Sequence, residues 1–124
     1  MNYNVFKSNK IDILGTEWNI EIRDYEEDNN FIDCSAYCSY GDKLIVICNI
    51  ITYPGWYNES NETIVSELRK LMRHEIIHAY LQESGLSVNS VVFKEGWARN
   101  EEMVDWWALQ GPKVYNTWKE IGAI

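Results

Sequence analysis

The chain contains two histidines, and both fall in His74-Glu75-Ile76-Ile77-His78, an H-E-x-x-H pattern inside Leu71–Leu81. On a helix, residues four apart share a face, so the two imidazoles stand one turn apart and can grip a single metal ion. Zinc suits paired imidazoles, and a carboxylate beside them, Glu75, can take a proton from an attacking water. In a chain of this length an accidental H-E-x-x-H is on the order of a one-in-a-hundred event. The plainer alternative is a core helix carrying two hydrogen-bonded histidines. Two imidazoles leave a zinc site short of at least one protein ligand.

A later acidic stretch, Arg99-Asn-Glu-Glu-Met-Val-Asp-Trp-Trp-Ala108, can supply it. If that stretch is helical, Trp97, Glu101, Asp105 and Ala108 share a face. Glu101 would complete a two-histidine, one-carboxylate site with an open position for water. Asp105, one turn on, would accept the free ring N–H of a ligand histidine and fix its tautomer. Glu102 is the rival ligand, about 100° around the helix. The plainer alternative for all three acids is a solvated helix face.

The elements that must position these groups can be read along the chain. Alternation in Ile11–Asp24 predicts a hairpin turning at Gly15-Thr16, with Gly in the first central position. Asp24–Asn30 reads as a solvated acidic loop with no metal role. A second hairpin runs from Ala36–Tyr40 through Gly41-Asp42 into Lys43–Cys48, whose continuous apolar run from Leu44 predicts a strand covered on both faces. Thr52–Asn61 is a loop with a turn at Pro54-Gly55, and Trp56 and Tyr57 are expected to pack on the body or wall a cleft. The active-site helix should run from about 61 to 84, capped by Ser60 or Asn61 and ended by Gly85 at C′. Ile64, Leu68, Leu71, His74 or Glu75, His78 and Leu81 form its stripe, so the histidines should continue the buried face. A third-ligand helix over about 94–110 ends at Gly111-Pro112, and Pro112 opens a C-terminal helix over about 112–121.

H-E-I-I-H followed by N-E-E-M-V-D resembles the gluzincin metallopeptidases, whose second helix carries N-E-x-x-x-D. Within that clan, E-E-M-V-D-W-W-A is similar to a segment of the small ImmA/IrrE-type peptidases, also seen in short phage-encoded proteins. The resemblance covers the last half of the chain. It implies an α+β, minimal zincin-like domain over residues 1–124: a small twisted, mainly antiparallel sheet from about residues 10–50, packed on the H-E-x-x-H helix, a ligand-bearing helix and a C-terminal helix. It implies one Zn²⁺ per chain held by His74, His78 and Glu101, with Glu75 as general base and Asp105 behind the ligands. Val104 and Asp105 depart from the Ala and Asn frequent in the smaller group. No third histidine exists to meet an oxyanion; Arg73, Tyr80, Arg99 or a tyrosine from the strands is left to serve.

Composition narrows the function classes. A 124-residue chain that is 46% hydrophobic and 14% aromatic makes a single folded domain. A formal charge of −8 argues against nucleic acid as partner and gives no support for docking on an acidic membrane surface. The polar start, the lack of a membrane-length apolar run and an odd count of three cysteines (Cys34, Cys38, Cys48) fit reduced thiols in a cytoplasm. Cys34 and Cys38 are read as small hydrophobes rather than a structural zinc pair. The expected function is zinc-dependent hydrolysis of a peptide bond in a peptide or protein substrate. The competing class is a binding or regulatory protein with a structural metal, which would close the site with a fourth protein ligand. The sequence assigns no oligomeric state.

Overall fold

The structure, a computed structural model, describes residues 5–87 and 101–124, except the side chains of Val104 and Ala108. It is an α+β fold: a mixed four-stranded sheet with two long helices packed on one face. Strands β1 (Lys10–Ile13), β2 (Thr16–Arg23), β3 (Ala36–Ser39) and β4 (Leu44–Cys48) lie in the order β1-β2-β4-β3. Helix α1 spans Asn61–Glu83 and α2 spans Glu101–Ile121. No helix among the described residues is long and apolar enough to cross a membrane.

Both hairpins form, and both turns differ from expectation. The β1–β2 turn has Leu14 (φ 49°) and Gly15 (φ 90°) as its central residues, so glycine is second and the pairing closes at Ile13↔Thr16. Two positive φ angles match the twist of the flanking strands, and Asp12 Oδ2 accepts the Gly15 N–H at 3.2 Å to hold the turn. The β3–β4 connection takes four residues, Tyr40–Lys43, because the register is fixed at Ser39↔Leu44; the left-handed residue is Lys43 (φ 53°), not Gly41.

Two of the three strand pairings are antiparallel, as expected, and the central one is parallel. β2 and β4 pair in parallel, Asn19↔Leu44 through Arg23↔Cys48. The chain leaving β2 returns through two 3-10 turns (Tyr25–Glu27 and Asn29–Ile32) and the edge strand β3, which delivers β4 between β2 and β3. β4 is covered on both faces as its apolar run demands. Ile45 and Ile47 enter the main core under the helices, while Val46 and Cys48 pack with Phe31 beneath the returning loop.

That loop is not simply solvated. Asp28 is buried, takes the Arg23 guanidinium at 2.7 Å and the Asn30 N–H at 3.0 Å, and accepts the Tyr37 hydroxyl. Burial pushes its carboxyl up, but Tyr37, Asn30 and Arg23 outweigh it and hold the group below the ordinary carboxylate value. Of the loop aromatics, Trp56 packs on the core while Tyr57 is 71% exposed, because the type II turn closing Trp56 N–H on Tyr53 C=O (3.0 Å, Gly55 φ 90°) turns the next residue outward.

Helix α1 starts at Ser60, whose Oγ accepts the Thr63 N–H at 3.2 Å, and ends at Gly85 (φ 80°) with Ser87 N–H closing on Leu81 C=O and Leu86 on the core. Its last turn is fastened to the sheet by Glu83, which takes the Trp18 indole N–H at 2.9 Å, the Thr16 hydroxyl at 3.3 Å and Lys43 Nζ at 2.7 Å. Burial raises the Glu83 carboxyl, yet Lys43, Trp18 and Thr16 together leave it lowered. A carboxyl depressed in the folded state stabilises above its unfolded pKa of about 4.3 and stops doing so as pH falls through the folded value. Glu83→Gln should therefore melt below the parent at pH 7, with the gap closing below about pH 4; melting curves across pH 3–7 check this, and a pH-independent gap would contradict it.

Gly111-Pro112 does not break the C-terminal half into two helices. Glu101–Ile121 is one helix with Pro112 inside it. The reason is a continuous packing stripe: Trp106, Val114, Thr117 and Ile121 are all buried on either side of the proline. Burial of that stripe outweighs the roughly 3 kcal/mol that an internal proline costs. Residues 94–100 of the expected helix lie outside the described residues.

Candidate functional site

The H-E-x-x-H residues lie in the penultimate turns of α1, with the two histidines on one face and Glu75 turned towards the core. The buried stripe of α1 is Ile64, Leu68, Met72, Glu75, Ile76, Ala79 and Tyr80. Glu75, 4% exposed, is thus the member that continues the core face, whereas His74 is exposed. This corrects the expected stripe: Leu71 and Leu81 are half-buried and the histidines border the core without entering it.

The two rings converge. His74 Nε2 and His78 Nε2 are 3.1 Å apart and the ring centroids 4.8 Å apart. The nitrogen separation is that of an imidazole–imidazole hydrogen bond, and it is also close to the roughly 3.3 Å between two nitrogens each about 2.0–2.1 Å from one tetrahedral zinc. The Glu75 carboxylate joins them: a ligand atom from each of His74, Glu75 and His78 lies within 4.8 Å of the others.

Glu75 is held from the sheet side. The Cys38 thiol, on edge strand β3, lies 3.3 Å from Glu75 Oε2 and 3.3 Å from the Glu75 carbonyl oxygen. Burial first, then the charge and hydrogen bond of Glu75, push the Cys38 thiol far above its ordinary value. It therefore stays protonated and acts as a donor to the carboxylate, leaving Glu75 Oε1 for a second partner. Sequence reasoning took Cys38 as a small hydrophobe. The available signal was alternation: on β3, Cys38 and Ala36 share the helix-facing side while Tyr37 faces the other core. Cys34, Cys38 and Cys48 are all free thiols.

The acids of α2 are placed differently. Helix α2 runs antiparallel to α1, with Trp106 Nε1 on Ser84 Oγ (3.0 Å), Tyr80 hydroxyl on Thr117 and the Lys113 C=O, and Arg73 Nη1 on the Ala123 C=O (2.8 Å). On α1 the row Arg73-Tyr80-Ser84 is roughly 100° or more around from the histidines. Glu101 and Asp105 are exposed at the start of α2, and among the described residues neither joins the His74-Glu75-His78 group; Glu102 is exposed beside them. Arg99 and Trp97 lie outside the described residues.

No protein-family model matches the chain, and neither a curated protein nor a solved structure matches it. Any reading of the site stands on its geometry and on the sequence pattern.

Proposed function

We propose that the protein is a zinc-dependent hydrolase that cleaves a peptide bond in a peptide or protein substrate, built on a minimal zincin-like domain. The observation that carries this reading is the 3.1 Å convergence of His74 Nε2 and His78 Nε2 beside the buried carboxylate of Glu75. His74 and His78 would hold the ion. Glu101 is assigned as third ligand and Asp105 as the acceptor behind a ligand histidine, both on the sequence pattern. Bound zinc supplies a Lewis acid that polarises a carbonyl and brings the pKa of water towards about 7.

The chain's own groups do the rest. Glu75, oriented through Oε2 by Cys38, takes the proton of the attacking water and hands it to the leaving amine. β3 is an edge strand of the sheet and carries Cys38, so a substrate pairing with that edge as an added strand would run past Glu75. The test is a peptide library screened for cleavage that chelation abolishes and zinc restores. Cleavage indifferent to chelation would contradict the proposal.

One observation favours a second reading. Glu75 itself lies close enough to both histidines to act as a ligand instead of a base; with a fourth protein ligand added, that would make the closed, structural site of a binding protein. The two readings part on what Glu75→Gln does to metal retention.

A further inference from the structure

A hydrolase of the kind proposed needs a donor for the substrate carbonyl oxygen as it gains negative charge, and the chain lacks a third histidine to provide one. We propose that the donor is the hydroxyl of Tyr40, at the end of the edge strand beside α1. The inference rests on the hydrolase reading above and names a residue within it.

Among the described residues the other candidates are engaged elsewhere; Arg99 lies outside them. Arg73 donates to the Ala123 carbonyl oxygen, on the α2 side of α1. The Tyr80 hydroxyl is buried against Thr117 and the Lys113 carbonyl oxygen. Among the tyrosines of the sheet side, Tyr37 donates to Asp28 and packs with Phe31 on the far face of the sheet. Tyr25 and Tyr53 pack edge-on against each other by that same second core, ring centroids 5.2 Å apart.

Tyr40 is on the correct side and at the correct height. It directly follows β3, and its ring meets Trp18, which lies in the core under the helices, so Tyr40 stands on the side turned to α1. Two contacts fix the direction in which this part of the chain runs along the helix: Cys38 meets Glu75, and Lys43, beyond Tyr40, meets Glu83. From Cys38, two extended residues advance about 6.6 Å. From Glu75 to His78 the helix advances about 4.5 Å. Tyr40 therefore lies alongside the turn of α1 that carries His78.

Its ring is braced edge-on against Trp18, centroids 6.4 Å apart at 77°, and Trp18 is tied to α1 through Glu83. The residue is nonetheless 38% exposed, and among the described residues no side chain or backbone group takes its hydroxyl. A rigid ring with an open donor is what a preorganised contact requires. Burial raises the phenol above its ordinary value, and the nearby charge of Glu75 adds to it. The hydroxyl thus keeps its proton at neutral pH and shares the field of Glu75. It donates a hydrogen bond and transfers no proton.

The experiment compares the zinc-loaded parent with Tyr40→Phe, using acetohydroxamate as the probe because its carbonyl oxygen mimics the charged substrate oxygen. Zinc affinity and acetohydroxamate affinity are both measured by calorimetry, with Tyr57→Phe, an exposed tyrosine on another loop, as control. Phenylalanine keeps the ring on Trp18, so the fold should survive. The expected result is zinc affinity within about twofold of the parent and acetohydroxamate binding weaker by roughly 10- to 100-fold, the worth of a hydrogen bond to a charged group. Tyr57→Phe should change neither. Equal acetohydroxamate affinity in Tyr40→Phe and parent would overturn the assignment while leaving the hydrolase reading intact. Loss of zinc along with the probe would show a structural role and overturn it too. A parent that binds no zinc, or binds zinc but no acetohydroxamate, would overturn the hydrolase reading and Tyr40 with it.

Discussion

Replacing Glu75 by glutamine should leave zinc binding and melting temperature close to those of the parent and reduce peptide cleavage by roughly 10²–10⁴-fold, the range over which positioned proton transfer acts. Glutamine preserves the size of the buried side chain and can still accept from the Cys38 thiol, so the 3.3 Å contact that orients it has a replacement. What is lost is the base. If Glu75 were a metal ligand instead, the same variant would shed zinc, because a neutral amide is a poor substitute for a carboxylate in a small zinc site. Metal content and cleavage rate measured on one preparation separate the two: zinc kept with activity lost supports the base, zinc lost supports Glu75 as a ligand. Activity retained in full would remove Glu75 from the mechanism.

Glu101→Ala should weaken zinc binding by more than the roughly 10- to 100-fold that removal of an outer hydrogen-bonding partner costs, while Glu102→Ala should leave it within about twofold. The sequence places Glu101, not Glu102, on one face with Asp105. The described contacts put the body of α2 on the Arg73-Tyr80-Ser84 side of α1, with Glu101 exposed at its first turn. Equal, unchanged affinities in both variants would remove α2 from the site and leave its ligands on α1.

Local chemistry was legible in the sequence, and long-range arrangement was less so. Ser60 and Gly85 mark the ends of α1 because capping depends on a few adjacent residues, and the apolar run from Leu44 announces a strand covered on both faces because each alternate side chain must find its own core. The spacing of His74 and His78 predicts their convergence for the same reason. It does not tell which of two neighbouring residues faces the core: Leu71 and Met72, or His74 and Glu75, differ by one helical step, and packing against the sheet decided for Met72 and Glu75. The parallel pairing of β2 with β4 depends on where the loop through Phe31 docks, which no local pattern records. Pro112 reads as a helix start, yet buried Trp106, Val114 and Thr117 hold one helix through it. Cys38 reads as a small hydrophobe because a lone cysteine on a strand carries no motif; its contact with Glu75 involves a partner 37 positions away.

The most direct test of the account is the metal itself. Protein purified without added metal, then titrated with Zn²⁺ and assayed by elemental analysis, should hold about one zinc per chain. The His78→Ala variant, folded and treated identically, should hold close to none, since it leaves one imidazole of the pair that stands 3.1 Å apart. A parent ratio near zero that titration does not raise, or a His78→Ala variant loaded as fully as the parent, would contradict it.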